Sequence, residues 1–395
     1  MWFLLFIPLA LCSAQTNIAG TTAWLNAGLF KTQSTTAPPT TTFSIVTSKT
    51  ASLSCTTTDG QDGKCVKPQF CKKALPVQDP TTLFIYRLTD CSYILQCCPL
   101  NQILAAPKKT NTLPDACGYS NPGGYSLRTT DSDPNGFSDY ADFPWMVALL
   151  TKSYGNTWSP EDYIGGGVLI HPSVVLTVAH KLISIQANEI KCRAGEWDFK
   201  IEDEIFLHQD RNVRKIAIHK DFLHLRAHYD GALLFLDAPF QLKDVYHIGV
   251  ACLAQDMPAP GTLCYSMGWG TSFNDNTNTN LLKKIQVPMV DPETCQRQLR
   301  NTQLGSNFLL HHTLFCAGGE EGKDVCVGDG GASLVCPVQS GNAMKRYVVY
   351  GLVAYGVGAC GKKDVPGVYA KVPSMLEWIN RQMQGEQLST SSYYM

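Results

Sequence analysis

The chain has 395 residues, with 32 Lys+Arg against 33 Asp+Glu and a formal net charge of -1 at pH 7. This balance gives no overall basic field, which argues against nucleic acid and anionic membrane surfaces as electrostatic partners. Hydrophobic residues make up 44% of the chain and support a sizeable core, while 32 Gly and 22 Pro indicate a loop-rich, mostly β architecture.

Residues 1–14 form an apolar stretch, MWFLLFIPLALCSA, that ends in small residues. The stretch is too short to cross a bilayer as a helix and is typical of a cleaved secretory signal peptide, the alternative being a buried N-terminal helix. The chain has 16 cysteines, a density that indicates disulfides in a secreted protein rather than metal sites. Loss of Cys12 with the signal peptide leaves an odd number, so at least one thiol is free, labile or intermolecular.

Three segments follow the signal peptide. Residues 15–54 are rich in Thr, Ser and Pro and are predicted to be a disordered, extended segment that could carry O-linked sugars. Residues 55–98 contain six cysteines, and a unit of this size needs three bridges, whose pairing the spacing alone leaves open. A strand is predicted within this segment at 83–86. Residues 99–131, rich in Pro, Asn, Gly and Thr, are predicted to be a linker.

From 132 to 383, short apolar runs alternate with Gly and Pro turn signals. Evenly spaced short strands of this kind favour paired antiparallel barrels. Between 372 and 383 the apolar residues recur at helical spacing, which predicts a C-terminal helix with Ser374 as its cap. The polar residues 384–395 are predicted to be a disordered tail.

The segment from Cys326 to Cys336 reads CVGDGGASLVC. It resembles, at the same spacing, the nucleophile loop C-x-G-D-S-G-G-P-L-V-C of the chymotrypsin-like serine proteases. The serine position of that loop is Gly330 here, and glycine has no side chain with which to form an acyl-enzyme. Ser333 stands at the position of the family's proline, three residues too late. The resemblance implies a protease body without protease chemistry.

Further motifs extend this resemblance over nearly all of 132–383. The segment TVAH, which ends at His180, is similar to the family's TAAH, and DGALL from Asp230 is similar to its DIALL. A GWG segment at 268–270 also matches. The resemblance implies a degenerate triad of His180, Asp230 and Gly330, in which Asp230 orients the imidazole. It implies a mostly β fold, the chymotrypsin-like double six-stranded β-barrel with a C-terminal helix.

The same resemblance implies a remnant of the substrate pocket. Asp324 occupies the position that confers trypsin-like specificity for basic side chains, and Gly356 and Gly367 keep the pocket walls free of side chains. Asp324 can equally be interpreted as a relic that a neighbouring group neutralises. Ala354 replaces a family serine that hydrogen-bonds the orienting aspartate, so this support is lost.

The cysteine pattern departs from the family at one bridge. Two cysteines that are partners beside the catalytic histidine of the family are Gly165 and Lys181 here, so that bridge is absent as a whole. Cys192 is left over, either as a buried free thiol or as an intermolecular link. The resemblance implies four remaining bridges, namely Cys117–Cys252, Cys264–Cys336, Cys295–Cys316 and Cys326–Cys360.

The cysteine order in 55–98 resembles the arthropod clip domain, with a knottin-like toxin module as the alternative. That resemblance implies the pairs Cys55–Cys97, Cys65–Cys91 and Cys71–Cys98. A clip domain joined to a protease body with glycine in place of the serine is similar to the clip-domain serine protease homologues of insect haemolymph. The segments CGYSNPGG in the linker and RAGEWD at 193–198 strengthen this resemblance.

Activation by cleavage also differs from that of active relatives. Those relatives are cut before an IVGG start, whose new amine pairs with the aspartate beside the serine, and no such tetrapeptide occurs near 128–136. Asp329 is therefore expected to have another partner. Arg87, within the clip region, is the candidate cleavage site, the alternative being an ordinary solvated arginine.

An acidic segment at 196–204 lies where some relatives bind calcium. A solvated acidic loop is the preferred interpretation, and the sequence has no zinc or phosphate signature, so neither a metal nor a cofactor is expected. The carboxylates concerned are Glu196, Asp198, Glu202, Asp203 and Glu204.

By resemblance, this chain is a secreted, catalytically inactive regulator of the prophenoloxidase and melanisation cascade in innate immunity. Its implied partners in the haemolymph are clip-domain serine proteases and prophenoloxidase, with homo-oligomers after cleavage. The alternatives are a pattern-recognition or adhesion protein that binds microbial surfaces, a decoy whose pocket sequesters substrates, and a weak hydrolase.

Overall fold

The structure is a computed structural model that describes residues 54–57, 59–72, 91, 95–105, 115–120, 136–152, 162–201, 204–243, 245–271, 279–322, 329–338, 345–358 and 360–395. All of these residues belong to one compact unit, Ala51–Met395. The signal peptide, almost all of the Thr/Ser/Pro-rich segment, the strand predicted at 83–86, Arg87 and Asp324 lie outside the described residues. No helix among the described residues is long and apolar enough to cross a membrane.

The cysteine-rich segment forms a small antiparallel sheet. Its strands are β1 (Ser54–Thr56), β2 (Asp62–Val66) and β3 (Gln96–Pro99), in the order β1-β2-β3. Short 3-10 turns at Pro68–Phe70 and Leu100–Gln102 flank the sheet. The cysteines bury their sulfur atoms where a larger domain would have an apolar core, and the structure pairs Cys55 with Cys97, Cys65 with Cys91 and Cys71 with Cys98.

The first barrel closes six strands in the order β4-β5-β6-β9-β8-β7. Residues of strand β7 alternate between buried and half-buried, so one face of the strand is turned into the core of the barrel. Antiparallel pairing of β4 with β7 completes the ring. The strands are β4 (Met146–Thr151), β5 (Tyr163–His171), β6 (Val174–Thr177), β7 (Ile190–Ala194), β8 (Gln209–Ile218) and β9 (Ala232–Leu236).

The second barrel closes six strands in the order β15-β14-β11-β12-β13-β16, and pairing of β15 with β16 completes it. Strand β10 (Cys252–Leu253) adds to β15 in parallel. The mostly β, double six-stranded barrel fold is thereby confirmed. The barrel strands are β11 (Leu263–Gly268), β12 (Lys283–Val290), β13 (Leu314–Gly318), β14 (Ser333–Val338), β15 (Arg346–Tyr355) and β16 (Pro366–Lys371).

Two α-helices accompany the second barrel. Helix α1 (Pro292–Arg300) begins after Asp291, whose carboxylate caps it by accepting hydrogen bonds from two backbone amides. Helix α2 (Leu376–Gly385) is the C-terminal helix expected from the spacing. The prediction that Ser374 caps it was wrong, since this residue lies in the preceding 3-10 turn and its hydroxyl donates to the carbonyl of Lys371 at 2.6 Å.

The prediction of a disordered tail at 384–395 was also wrong. Tyr393 is fully buried, and its hydroxyl donates to Oδ1 of Asn380 in α2 at 2.7 Å. Ser392 donates to the carbonyl of Ile170 in β5 at 2.8 Å. Polar composition suggested disorder, but two adjacent tyrosines supply enough apolar surface to hold the tail against the body.

The small N-terminal sheet contacts the first barrel at residues 204–205. Nζ of Lys67 donates to the carbonyl of Glu204 at 2.7 Å, and Nε2 of Gln69 donates to the carbonyl of Ile205 at 3.0 Å. Gln69 is buried, and Leu95 packs against both the cystine cluster and the main core. The segment 204–205 is therefore the docking point for the clip region.

Residues 115–120 are fixed to the second barrel. The Cys117–Cys252 disulfide joins them to β10, and Gly118 exchanges backbone hydrogen bonds with Val250 and Tyr347. Gly118 has a φ of +78° and a Cβ there would meet the carbonyl of Tyr347, so only glycine fits. The linker thus ends as part of the body.

Candidate functional site

His180 and Asp230 come together because the strands that precede or follow them are neighbours. His180 lies in the 3-10 turn after β6, and Asp230 lies just before β9, which pairs with β6. Nδ1 of His180 lies 2.7 Å from Oδ2 of Asp230, and the His180 amide donates to Oδ1 at 2.9 Å. Asp230 is buried, whereas 23% of the His180 side chain is exposed. The histidine is therefore oriented by the carboxylate with its Nε2 edge left outward.

Gly330 lies at the position of the nucleophile in this arrangement but has no side chain. It lies in the turn before β14, and its carbonyl accepts a hydrogen bond from the Gly166 amide at 3.0 Å. A Cβ atom at position 330 would lie 3.2 Å from Nε2 of His180, which is where an attacking side chain would stand. Because glycine carries no Cβ, the histidine has no hydroxyl at this position to deprotonate.

The hydroxyls that adjoin this turn point elsewhere. Ser333 is fully buried, and its Oγ lies 3.4 Å from each sulfur of Met146 and Met267. Thr177 is also buried and donates to the carbonyl of Gly166 at 2.8 Å. Neither hydroxyl replaces the missing nucleophile.

The space of the missing side chain is taken by Lys181, whose role the motif comparison did not reveal. Cε of Lys181 lies 2.7 Å from the position of a Cβ at 330 and 3.7 Å from that of a Cβ at 165. The lysine chain therefore runs across the place of the absent disulfide and ends beside the absent serine. Burial lowers the pKa of its amine, although the Asp329 carboxylate acts in the opposite direction. The sequence signal for this arrangement was that positions 165, 181 and 330 all depart from the family pattern.

Asp329 has a partner inside the protein, as the missing IVGG start suggested. This residue is buried, and its Oδ1 accepts a hydrogen bond from the Gly270 amide at 2.8 Å. It packs against Gly268, where a Cβ would meet the carboxylate. Burial first, and then the Asp329 charge, raise the pKa of the nearby Tyr163 hydroxyl.

The pocket residues are placed only in part, since Asp324 lies outside the described residues. A Cβ at Gly356 would meet no atom of the described residues within 4 Å. Gly367 pairs with Ala317 within the second barrel. Ala354 is buried near the end of β15, and its methyl side chain cannot donate a hydrogen bond to Asp230.

The acidic segment at 196–204 is not the solvated loop that the sequence suggested. Its described members Glu196, Asp198 and Glu204 are all buried. Oε1 of Glu204 accepts hydrogen bonds from the amides of Trp197 and Asp198, each at 2.8 Å. Oε2 of Glu196 lies 3.3 Å from the Arg193 guanidinium. The sequence could not show this burial, because it depends on how the segment folds onto itself and packs against Arg193.

Two of these carboxyl groups interact directly. Burial, followed by the charge of Glu196, raises the pKa of Glu204 to about 10, and burial also raises the pKa of Glu196. A side-chain hydrogen bond joins the two groups. A proton and a guanidinium therefore balance the charge, and this donor set does not fit a calcium site, because one oxygen of Glu204 is held by amides and Glu196 faces Arg193.

The remaining cysteines are placed as follows. Disulfides join Cys264 to Cys336 and Cys295 to Cys316. Cys360 is disulfide-bonded, while Cys326 lies outside the described residues. Cys192 is a free, fully buried thiol in β7, and burial raises its pKa, so the structure favours the buried thiol over an intermolecular link.

Comparison with known proteins matches residues 136–379 to the trypsin family. The chain is 41% identical over 304 residues to phenoloxidase-activating factor 2 of Galleria mellonella, covering 75% of this chain and 98% of that protein. It is 34% identical over 299 residues to inactive CLIP domain-containing serine protease A8 of Anopheles gambiae, covering 74% of this chain and 79% of that protein. A third relative, inactive CLIP domain-containing serine protease A28 of the same organism, is 33% identical over 323 residues, covering 76% and 80%.

Proposed function

This chain belongs to the trypsin family as a clip-domain serine protease homologue, and we propose that it is a secreted, non-catalytic regulator of the prophenoloxidase cascade. The observation that carries the proposal is the degenerate triad. His180 and Asp230 keep their hydrogen bond, while Gly330 supplies no nucleophile and Lys181 fills the vacated space. Such a body can bind other proteins but has no group at this position that can form an acyl-enzyme.

The names of the relatives support the choice of cascade. One is a phenoloxidase-activating factor, and two are called inactive CLIP proteases. The partners that we propose are active clip-domain proteases and prophenoloxidase. We place this assembly in the haemolymph, because a signal peptide and many disulfides are typical of secreted proteins. Cleavage at Arg87 would precede assembly with these partners and self-association.

Reconstitution tests this proposal. Purified chain is added to an active clip protease and prophenoloxidase, and phenoloxidase output is measured with and without it. We expect a change in output that survives pretreatment of the chain with an irreversible serine-protease inhibitor, because the chain contributes binding rather than hydrolysis. Arg87→Gln should abolish the change, whereas Arg128→Gln, at an arginine within the 128–136 stretch that has no IVGG start, should not.

An unchanged output with the intact chain would refute the regulatory role. Loss of the effect after inhibitor treatment would instead show that the chain acts as a protease. An effect that persists in Arg87→Gln would reject only the cleavage site and leave the regulator in place.

A further inference from the structure

The Lys181 side chain reaches the place where an active serine protease carries its nucleophilic hydroxyl. The amine is one bond beyond Cε, which lies 2.7 Å from the position of a Cβ at residue 330. Lys181 is half-buried, and in the part of the chain that the structure describes its amine takes part in no hydrogen bond or ion pair. A half-buried amine without a partner is an available site for an anion.

The trypsin fold indicates which molecule would carry such an anion. It holds an extended peptide so that one carbonyl carbon lies between the histidine and the residue at the serine position. When that peptide has already been cut, the same carbon belongs to a free carboxylate. Replacing a neutral hydroxyl by an ammonium group shifts the preference of this position from an uncharged amide to a negative carboxylate.

We propose that the degenerate triad binds the free α-carboxylate of a peptide C-terminus, with the Lys181 ammonium as its counter-charge and hydrogen-bond donor. Asp230 holds Nδ1 of His180 at 2.7 Å, so the Nε2 edge of the imidazole borders this position, and Lys181 is the group that donates to the carboxylate. Such C-termini are the products of proteases. The site would therefore recognise a chain after its cleavage, and this recognition does not depend on the phenoloxidase cascade.

The charges around the site give the binding a pH dependence. Burial lowers the pKa of Lys181, with the Asp329 carboxylate opposing this effect, and His180 and Asp230 are the other ionisable groups that face it. A bound carboxylate favours the charged amine and raises its pKa. Affinity should therefore be highest where Lys181 is protonated and should fall as the pH rises through its lowered pKa.

A matched pair of peptides tests the site in the intact wild-type chain. Fluorescence anisotropy measures binding of a labelled hexapeptide with a free C-terminal carboxylate and of the same hexapeptide ending in an amide, for series ending in Arg, Leu and Phe. We expect at least one carboxylate peptide to bind about tenfold or more tightly than its amide, as for a charge-assisted hydrogen bond. Lys181→Met should remove this preference and Lys181→Arg should retain part of it. Lys220→Met, at an exposed lysine, should retain all of it.

Equal affinity for carboxylate and amide peptides in the wild-type chain would overturn the proposal without any substitution. So would a preference that persists in Lys181→Met, provided that its thermal unfolding matches that of the wild type. Displacement of the peptide by acetate at equal concentration would reject a peptide ligand in favour of any small carboxylate.

Discussion

At the scale of single residues, the missing nucleophile at position 330 is connected physically with the changes at positions 165 and 181. Gly330 removes the nucleophile, Gly165 and Lys181 remove a disulfide, and the Lys181 chain occupies the combined space. The two glycines leave space without side chains, and the Lys181 side chain occupies that space. Restoring one position alone should therefore create a steric conflict.

Gly330→Ser is the direct test of this connection. Its Cβ would lie 2.7 Å from Cε of Lys181, near the end of a flexible side chain that must shift, so we expect the free energy of unfolding to fall by about 1 kcal/mol. The single variant should also remain unlabelled by a fluorophosphonate probe, because the lysine obstructs the hydroxyl. Adding Lys181→Ala should remove most of the destabilisation, which chemical denaturation of both single variants and the double variant would measure as a coupling energy.

Gly356→Ser is the matched control, because a Cβ at that glycine meets no atom of the described residues within 4 Å. It should change stability by less than about 0.5 kcal/mol. If Gly330→Ser proved as stable as the wild type, the lysine would be free to move away and the connection between the three positions would be disproved.

The sequence could predict Gly330, His180 and Asp230 as one site, because the motifs around them resemble those of the chymotrypsin-like serine proteases. It could not predict the path of the Lys181 side chain, since that depends on space left by residues far apart in the chain. The same limit applied to Ser333, whose burial between two methionines follows from barrel packing rather than from its neighbours in sequence.

At the scale of secondary-structure elements, the acidic segment between β7 and β8 holds a protonated carboxyl in the folded state. The folded pKa of Glu204 is about 10, and its ordinary value is 4.5. Because the folded pKa is raised, the protonated Glu204 carboxyl contributes its full stability below pH 4.5. This contribution is lost as the pH rises towards the folded pKa. The segment should therefore be less stable at pH 8.5 than at pH 5.5, both chosen to lie in this window of about 4.5 to 10.

Glu204→Gln should remove this pH dependence. The amide keeps an oxygen for the Trp197 and Asp198 amides and can donate to Glu196 without needing a bound proton. We expect it to raise the free energy of unfolding at pH 8.5 by about 1–3 kcal/mol and to have little effect at pH 5.5, as measured by denaturation at both pH values. Glu321→Gln, at an exposed position, should leave the pH profile unchanged. A steeper profile in Glu204→Gln would contradict a shared proton.

The apolar runs of 132–383 predicted strands and a C-terminal helix there, because periodicity is a local property. Composition failed for the segments between and after these elements. The acidic segment was interpreted as solvated and the tail as disordered, yet Glu204 and Tyr393 are buried. Glu204 accepts hydrogen bonds from the amides of Trp197 and Asp198, and Tyr393 donates to Asn380, and composition does not encode such contacts.

At the scale of the whole molecule, the clip region and the barrels meet at the segment that carries the carboxyl pair. The carbonyls of Glu204 and Ile205 accept hydrogen bonds from Lys67 and Gln69, and Leu95 supplies an apolar contact. Cysteine order could indicate the two modules but not this contact, because its partners are separated by more than a hundred residues. Among the described residues, these hydrogen bonds and the Leu95 contact join the two modules.

Removing those interactions should loosen the docking without unfolding either module, because each barrel is closed and three disulfides hold the small sheet. In Lys67→Ala/Gln69→Ala, two hydrogen bonds worth about 1 kcal/mol each are lost, so backbone amides at 204–208 should exchange with solvent about tenfold faster. Hydrogen exchange measured by mass spectrometry would detect this. Lys64→Ala, at an exposed residue of β2, is the control and should leave exchange unchanged. Unchanged protection in the double variant would mean that the two hydrogen bonds contribute nothing to docking.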